Sequence, residues 1–510
     1  MKMYIGIDIG TSGVKALLIN EQGNIQAISM VEYPIYTPFP LWSEQEPEEW
    51  WKATIDVLRH LVQEAGNVAK QVCAIGLTGQ MHGSVFLDKQ NQVIRRALLW
   101  NDQRTAKECD QITEAIGREN LISIAGNPAL TGFQAPKILW LRSNEPKAYA
   151  KLEKVLLPKD FIRFKLTGDF ATDCSDASGT LLLDLKKRDW SYEILEHLEI
   201  PVSWLPKVYE GSQITGILLP AIAELIGIPA GIPVIAGGGD NAAAAIGTGI
   251  VRQGLVSSSI GTSGVIFAHS DDLTFDPQGR LHTFCHAVPT KNHLMAVTLS
   301  AGNSLRWLRE LFRDIVSSGS SNRIDYTEMT ALASKVNPGC EGLVFLPYLC
   351  GERTPHLDPF ATGAFVGLTS RHSRAHMFRA VMEGVVFSLM DGLEIMRVMK
   401  VPVQQVRAIG GGGKSELWCQ MQADIFGCEV VNLEVEEGPA YGASLLAIAA
   451  DQDAEGVSNI SENCVQIETS REPDDEHVRR YQEYYAVYRD LYSSLKEDMH
   501  RLTRLASSKL

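Results

Sequence analysis

The sequence predicts an α/β protein built as two halves on one plan, each with a mostly central sheet. Three observations carry this. The hexapeptide IGTSGV occurs at residues 9–14 and again at 260–265, and each copy sits between β-rich runs, YIGIDIG and KALLIN around the first, GLVSSSI and VIFAHS around the second. Strand and helix patterns alternate through both halves, as they do where helices cover a sheet. At 510 residues the chain is too long for a single hydrophobic core, and length alone sets roughly two to four domains. A six-residue match can arise by chance in glycine-rich sequence, but equivalent strands on both sides favour duplication. The halves join around residues 248–256, which gives domains of 1–248 and 249–510.

The elements follow in order. YIGIDIG is a short strand ended by a glycine turn, KALLIN completes a hairpin, and EQGN supplies the next turn. PEEWWKATIDVLRHLVQEA, 47–65, has helical periodicity with Pro47 near its start. CAIGLT (73–78) and IPVIA (232–236) read as short buried strands. The second hairpin, GLVSSSIGTSGVIFAHS, is followed by helices at 301–316, 373–398 and 414–426 and a strand at 406–409. In 474–505, Tyr481, Tyr484, Tyr485, Tyr488 and Tyr492 recur at helical spacing among charges, a helix laid against the body.

Composition narrows the function classes. Hydrophobic residues at 45% and charged ones at 21% are ordinary for a folded globular chain. A net charge of −14 with no basic block disfavours nucleic acid as the main partner. MKMYIGIDIG places an acid and two glycines where a signal peptide needs its apolar core, and the longest apolar stretch, 228–251, is broken by Pro229, Pro233, glycines and Asp240. No export and no membrane span is expected. Nine cysteines, odd in number and never spaced C-x-x-C, point to reduced thiols and a cytoplasmic setting.

A Gly-Thr-Ser-Gly turn exposes backbone N–H groups and two hydroxyls with little bulk, a concavity that suits an anion. Two copies facing one cleft would hold the phosphates of one nucleotide from both sides. The charges differ between the copies: Asp8 and Lys15 flank the first, Ser259 and Ile266 the second. Mg²⁺ takes one or two carboxylates along with phosphate oxygens, so one acid suffices and a second would repel the phosphates. In AGGGDNAAAAIGTG (236–249), Asp240 opens a small-residue helix. Two readings stand, an N-cap and a general base. In GLTGQMHGSVFLD (76–88), the glycine-flanked Gln80, Met81 and His82 read either as structural residues or as a polyol site. AIGGGGKSELW (408–418) is not a Walker A loop, because Ala408 stands where glycine is required. Its glycine turn could lie flat against an adenine and ribose.

Together these stretches resemble the FGGY carbohydrate kinases, within the actin/Hsp70/hexokinase-like ATPases. IGIDIGTSGVKALL, GLTGQMHG, LWNDQRT (99–105), GGGDNAAAAIG, SIGTSG, FLPYLCGERTPH (345–356), GAFVGL…HMFRAVME (363–383) and IGGGGKS run in family order over nearly the whole chain. LWSEQEPEEWW, QMHG, LLPKDFIRFKLTGDFATDCSDASGT and YLCGERTPH favour one sugar-specific branch over glycerol kinase, whose polyol site carries Arg-Glu where this chain has Met81-His82. One departure is Gln134, where the family usually has Thr, Ser or Pro.

The resemblance implies two actin-like (ribonuclease H-like) domains around a central cleft, with ATP and Mg²⁺ as cofactors and a sugar as substrate. It implies Asp240 as the base that takes the sugar hydroxyl's proton, with Asn241, Met81 and His82 on the sugar. It implies Asp8 on Mg²⁺ through water, Thr11, Ser12 and Lys15 on the phosphates from one side and Thr262 from the other. Gly302, Gly411 and Ser415 match nucleotide contacts. Residues 1–248 would carry the sugar site and base, and 249–510 most of the nucleotide site; a homodimer is left open. The rivals are a kinase for gluconate, ribulose or another ketose or polyol, and a non-catalytic ATP switch. A sugar-binding regulator without chemistry is disfavoured by intact Asp8, Thr11, Thr262 and Asp240.

Overall fold

The computed structural model describes residues 1–313, 324–435, 437–452 and 456–507. Two seven-stranded sheets share one plan among these residues. The first runs Ile214–Ile217, Pro233–Ile235, Val72–Gly79, Met3–Ile9, Gly13–Asn20, Ile25–Glu32, with Gly238–Gly239 also on Val72–Gly79. The second runs His282–Cys285, Asn292–Thr298, Gly264–Ser270, Gly254–Ile260, Val403–Ile409, Glu429–Leu433, Ile467–Arg471. In each, an antiparallel hairpin is followed by two parallel strands and an antiparallel edge.

Strand parity explains why Met3–Ile9 is almost continuously buried. Met3, Ile5, Ile7 and Ile9 point to one core, where helix Pro47–Ala65 brings Trp50, Val57, Leu58 and Leu61 at helical spacing. Tyr4, with Leu17 and Ile19 of the next strand, points to the other face, covered by Ala440, Tyr441 and Leu445 of helix Gly438–Asp451. A helix from the second half thus covers the sheet of the first, tied at its far end by Asp451 to Lys2 (2.6 Å) and Tyr4 (2.7 Å). It crosses helix Asp240–Gly247 backbone to backbone: a Cβ added at Gly442 would lie 1.7 Å from the Ala243 carbonyl oxygen. Only glycine permits that approach.

The expected elements at 47–65, 73–78, 232–236 and 406–409 are present within a few residues at each end. The helices expected at 373–398 and 414–426 run Arg374–Val398 and Glu416–Phe426. The one expected at 301–316 is Gly302–Arg313, and 314–316 lie outside the described residues. Helix Asp475–Ser507 lies against the second half, with Tyr481, Tyr485, Tyr488 and Tyr492 buried and hydrogen-bonded to Glu383, Asp391, Tyr348 and Asp358. None of the described helices is long and apolar enough to cross a membrane.

Candidate active site

The two turns differ although their sequence is identical. In the first, Ile9 faces Val14 and Asp8 faces Lys15. In the second, Ile260 faces Gly264 and Ser259 faces Val265, a register one residue shorter. A one-residue slip moves every side chain of the following strand to the other face. Ile266, the counterpart of Lys15, is therefore fully buried in the core on the opposite face, and Val265 and Phe267 share the Ser259 side.

Parity also places the charges. Asp8 and Lys15 lie on the face covered by helix Gly438–Asp451, at that helix's N-terminal end. Glu437, the residue before the helix, pairs with Lys15 at 2.6 Å. Burial pushes the Asp8 carboxyl up to about 7, with the Asp240 charge adding to it and Lys15 opposing. Asp8 Oδ1 is buried without a hydrogen-bond partner among the described residues. An orphaned carboxylate oxygen beside a second acid is a fit for a divalent cation, whose charge would relieve both.

Asp240 is not an N-cap. Gly239 occupies that position, and Asp240 is the first helical residue, its Oδ1 accepting from Asn241 N (2.7 Å) and Asn241 Nδ2 (2.9 Å). No side-chain hydrogen bond to its Oδ2 is seen among the described residues. Burial pushes the carboxyl up to about 6 against those two bonds. Asp240 and Asn241 line a cavity of ≈ 260 Å³ with Thr248, Ser257, Ser259, Val265, Phe267, Gly410 and Gly438, so the acid of the first half shares one space with the strands that flank the second turn, though not with residues 261–264 of the turn itself.

Met81 and His82 follow strand Val72–Gly79. Met81 is buried against Gly239, the neighbour of Asp240. His82 takes a left-handed backbone (φ 68), held by Lys137, whose Nζ donates to the His82 carbonyl (2.8 Å) and to that of Gly132 (2.6 Å). Its Nδ1 meets the Gly179 carbonyl at 2.6 Å. That nitrogen therefore carries the proton, and Nε2 is an acceptor for a hydroxyl. Burial drives the ring down to about 3, so it stays neutral. A Cβ at Gly179 would lie 2.7 Å from His82 Nδ1 and 2.8 Å from Met81 Cε, which reserves that position for glycine.

Thr262, Gly302, Gly411 and Ser415 come together. They line a cavity of ≈ 830 Å³ with Ile260, Leu305, Tyr326, Leu417 and Trp418, large and apolar enough for a nucleoside. The start of helix Gly302–Arg313 docks on the turn: Gly302 N donates to the Gly261 carbonyl (2.8 Å), and Ala301 N (3.0 Å) and Asn303 N (3.2 Å) donate to that of Thr262. Ser415 caps helix Glu416–Phe426 by accepting from Trp418 N. Thr11 and Ser12 line neither cavity. The Thr11 hydroxyl accepts from Trp100 Nε1 (3.0 Å) and lies 3.3 Å from Gln80 Oε1.

Sequence reasoning missed the residues that brace these groups. Gln45 Nε2 donates to the Thr11 carbonyl (2.7 Å), Tyr33 donates to that of Gly10, and Gln80 bridges Gly10 and Gln45. Lys137 and Gln134, whose Nε2 donates to the Gly83 carbonyl (3.0 Å), hold the His82 turn. Gln134 was visible as a departure from the family pattern, and Gln80 and Gln45 lay in stretches already singled out but without a bracing role; nothing in the sequence marked Lys137.

Comparison with known proteins gives two family-model matches, the N-terminal domain of the FGGY family of carbohydrate kinases over residues 3–247 and its C-terminal domain over 256–450. The chain is 43% identical to xylulose kinase of Escherichia coli (strain K12), over 97% of this chain and 99% of that one. The solved structure of a xylulose kinase from Brucella ovis superposes with TM-score 0.90 at 35% identity, covering 97% of this chain and 99% of that one. A gluconate kinase from Lactobacillus acidophilus gives TM-score 0.90 at 26% identity, covering 97% and 98%.

Proposed function

The chain belongs to the FGGY family of carbohydrate kinases, and we propose that it transfers the γ-phosphoryl group of ATP to the 5-hydroxyl of D-xylulose. The fold is the two-domain actin-like fold of that family, and as a kinase the protein binds a sugar and ATP. Xylulokinase is the branch that the quoted stretches favour over glycerol kinase. The observation that carries the reading is the shared cavity in which Asp240, raised toward neutral pH, lies beside Ser259 and Gly410. A base with its proton affinity near working pH suits removal of a hydroxyl proton as phosphorus–oxygen bonding develops.

In this reading Asp240 takes the proton from the 5-hydroxyl, and the hydroxyl oxygen displaces ADP from the γ-phosphorus. Asn241 orients Asp240, and His82 Nε2 accepts from another sugar hydroxyl while Met81 packs on the chain of carbons. Thr262, Gly302, Gly411 and Ser415 hold the nucleoside and its nearer phosphates, and Thr11, Ser12 and Lys15 receive the far ones from the first lobe. Lys15 exchanges Glu437 for phosphate oxygens as it does so. Asp8 would hold Mg²⁺, which supplies neutralisation of the phosphate charge. Residues 1–248 carry the sugar site and base, and 249–510 most of the nucleotide site. A cytoplasmic setting goes with the nine free cysteines.

A panel of D-xylulose, D-ribulose, D-gluconate and glycerol with ATP and magnesium, read by the mass of the product, tests this. D-Xylulose should give the highest kcat/KM and a mono-phosphorylated product. Preference for gluconate would move the assignment to a different sugar, and ATP turnover indifferent to every sugar would replace the kinase with an ATP switch.

A further inference from the structure

We propose that Arg353, on the second lobe, is a further sugar-binding and specificity-determining residue, its guanidinium donating to oxygen atoms of the ketose across the cleft from His82. This rests on the xylulose reading above.

Strand His282–Cys285, the edge of the second sheet, is docked into the first lobe. Asn127 Nδ2 donates to the Thr283 carbonyl (2.8 Å), Asn127 Oδ1 contacts His282 Nδ1 (2.7 Å), and Cys285 N donates to Ser178 Oγ (3.2 Å). With Nδ1 protonated against Asn127, His282 presents Nε2 as an acceptor, and Arg353 Nη1 lies 3.5 Å from it. From His282 a wall of rings leads to the sugar site. His282 stacks on Phe284 (centroids 5.5 Å, 11°), Phe133 stands edge-on to both, and His82 meets Phe133 edge-on at 4.9 Å. Arg353 stands at one end of that wall and His82 at the other. Burial lowers the proton affinity of both histidines, and the charge on Arg353 lowers it further.

The guanidinium is under-used. It has five N–H donors, and the long contact to His282 is its side-chain hydrogen bond among the described residues; no ion pair is formed there. The neighbouring Glu352 is engaged elsewhere, with Thr298 Oγ1 (2.5 Å), Leu299 N (3.0 Å) and the backbone N of Arg353 (2.7 Å). Burial disfavours the charge on Arg353 and the nearby Glu352 carboxylate opposes that without a direct ion pair, so N–H donors are left over that a polyol, rich in acceptor oxygens, satisfies. The segment is also rigid: Asp358 exchanges backbone hydrogen bonds with Glu352 and accepts from Tyr492 (2.7 Å) while contacting His500 (2.7 Å), both from the C-terminal helix.

The test uses the full chain with Arg353→Gln and Arg353→Lys. KM for D-xylulose should rise about tenfold or more in Arg353→Gln, as for one lost hydrogen bond to a charged donor, with KM for ATP and the thermal midpoint near parent values. Arg353→Lys, which keeps the charge and guards against a misfolded Gln variant, should recover part of the loss. Monodeoxy analogues of xylulose give the readout that a merely structural role would not move. At least one deoxy position should weaken binding in the parent and weaken it no further in the variants. An unchanged KM for D-xylulose, or identical deoxy penalties in parent and variants, overturns the inference. If the parent itself does not phosphorylate D-xylulose, the reading beneath it falls instead.

Discussion

Asp240 stands at the first position of a helix whose N-cap is glycine, with one carboxylate oxygen held by Asn241 and the residue lining the cavity. Asp240→Asn keeps the bulk and removes the base. We expect kcat to fall by about 10²–10⁴-fold while the thermal midpoint holds or rises, since an uncharged amide is easier to bury than a carboxylate. Wild-type turnover in the variant would remove the assigned role. The acid limb of the pH profile follows from the same group. Burial lifts its pKa to about 6, and a base works only when deprotonated, so kcat/KM should decline as pH drops through 6 and level off above 7. A profile flat down to pH 5 would contradict this. At this scale the motifs GLTGQMHG and GGGDNAAAAIG marked Met81, His82 and Asp240 as candidates, whose roles remain our assignment. The sequence was silent at Lys137, and it gave Arg353 only as part of the stretch FLPYLCGERTPH, with no role attached. Nothing in a linear pattern distinguishes a buried lysine on a helix from a solvated one, and Arg353 meets His282 only through the tertiary fold.

The paired hairpins show what local pattern can and cannot carry. IGTSGV announces a strand, a glycine turn and a strand in both halves, and both are there. The register is not written in those six residues. It goes with what each following strand presents, Lys15 to Glu437 in one case and Ile266 to the core in the other. Helices Pro47–Ala65, Arg374–Val398 and Asp475–Ser507 were legible because their apolar spacing persists over many turns. The crossing of Asp240–Gly247 with Gly438–Asp451 was not, since small residues all round a helix give no direction. That crossing has its own test. Gly442→Val would force a side chain into the Ala243 carbonyl and should cost at least about 2 kcal/mol, read from the denaturant midpoint. A fully stable Gly442→Val would mean that the two helices separate easily.

The two lobes divide the chemistry, with Asp8, His82 and Asp240 on one and Thr262, Gly302, Gly411 and Ser415 on the other, in our assignment. Substrates that touch both should draw them together and exclude water. Small-angle scattering should therefore register a smaller radius of gyration with D-xylulose and a non-hydrolysable ATP analogue than with either alone; identical curves would speak against closure. The repeated plan was legible in sequence at this scale, but the covering of the first sheet by a helix of the second half was not, because nothing in residues 438–451 names the sheet they cover. That crossing-over bears on biosynthesis. Tyr4, Leu17 and Ala74 meet their covering helix only when residue 451 has left the ribosome, and at about 5–20 residues per second the delay is roughly tens of seconds. Until then the nascent amino-terminal half carries a bare greasy flank, a ready client for chaperones, and a gene cut near codon 248 would yield a fragment that precipitates unless its other piece is made alongside it.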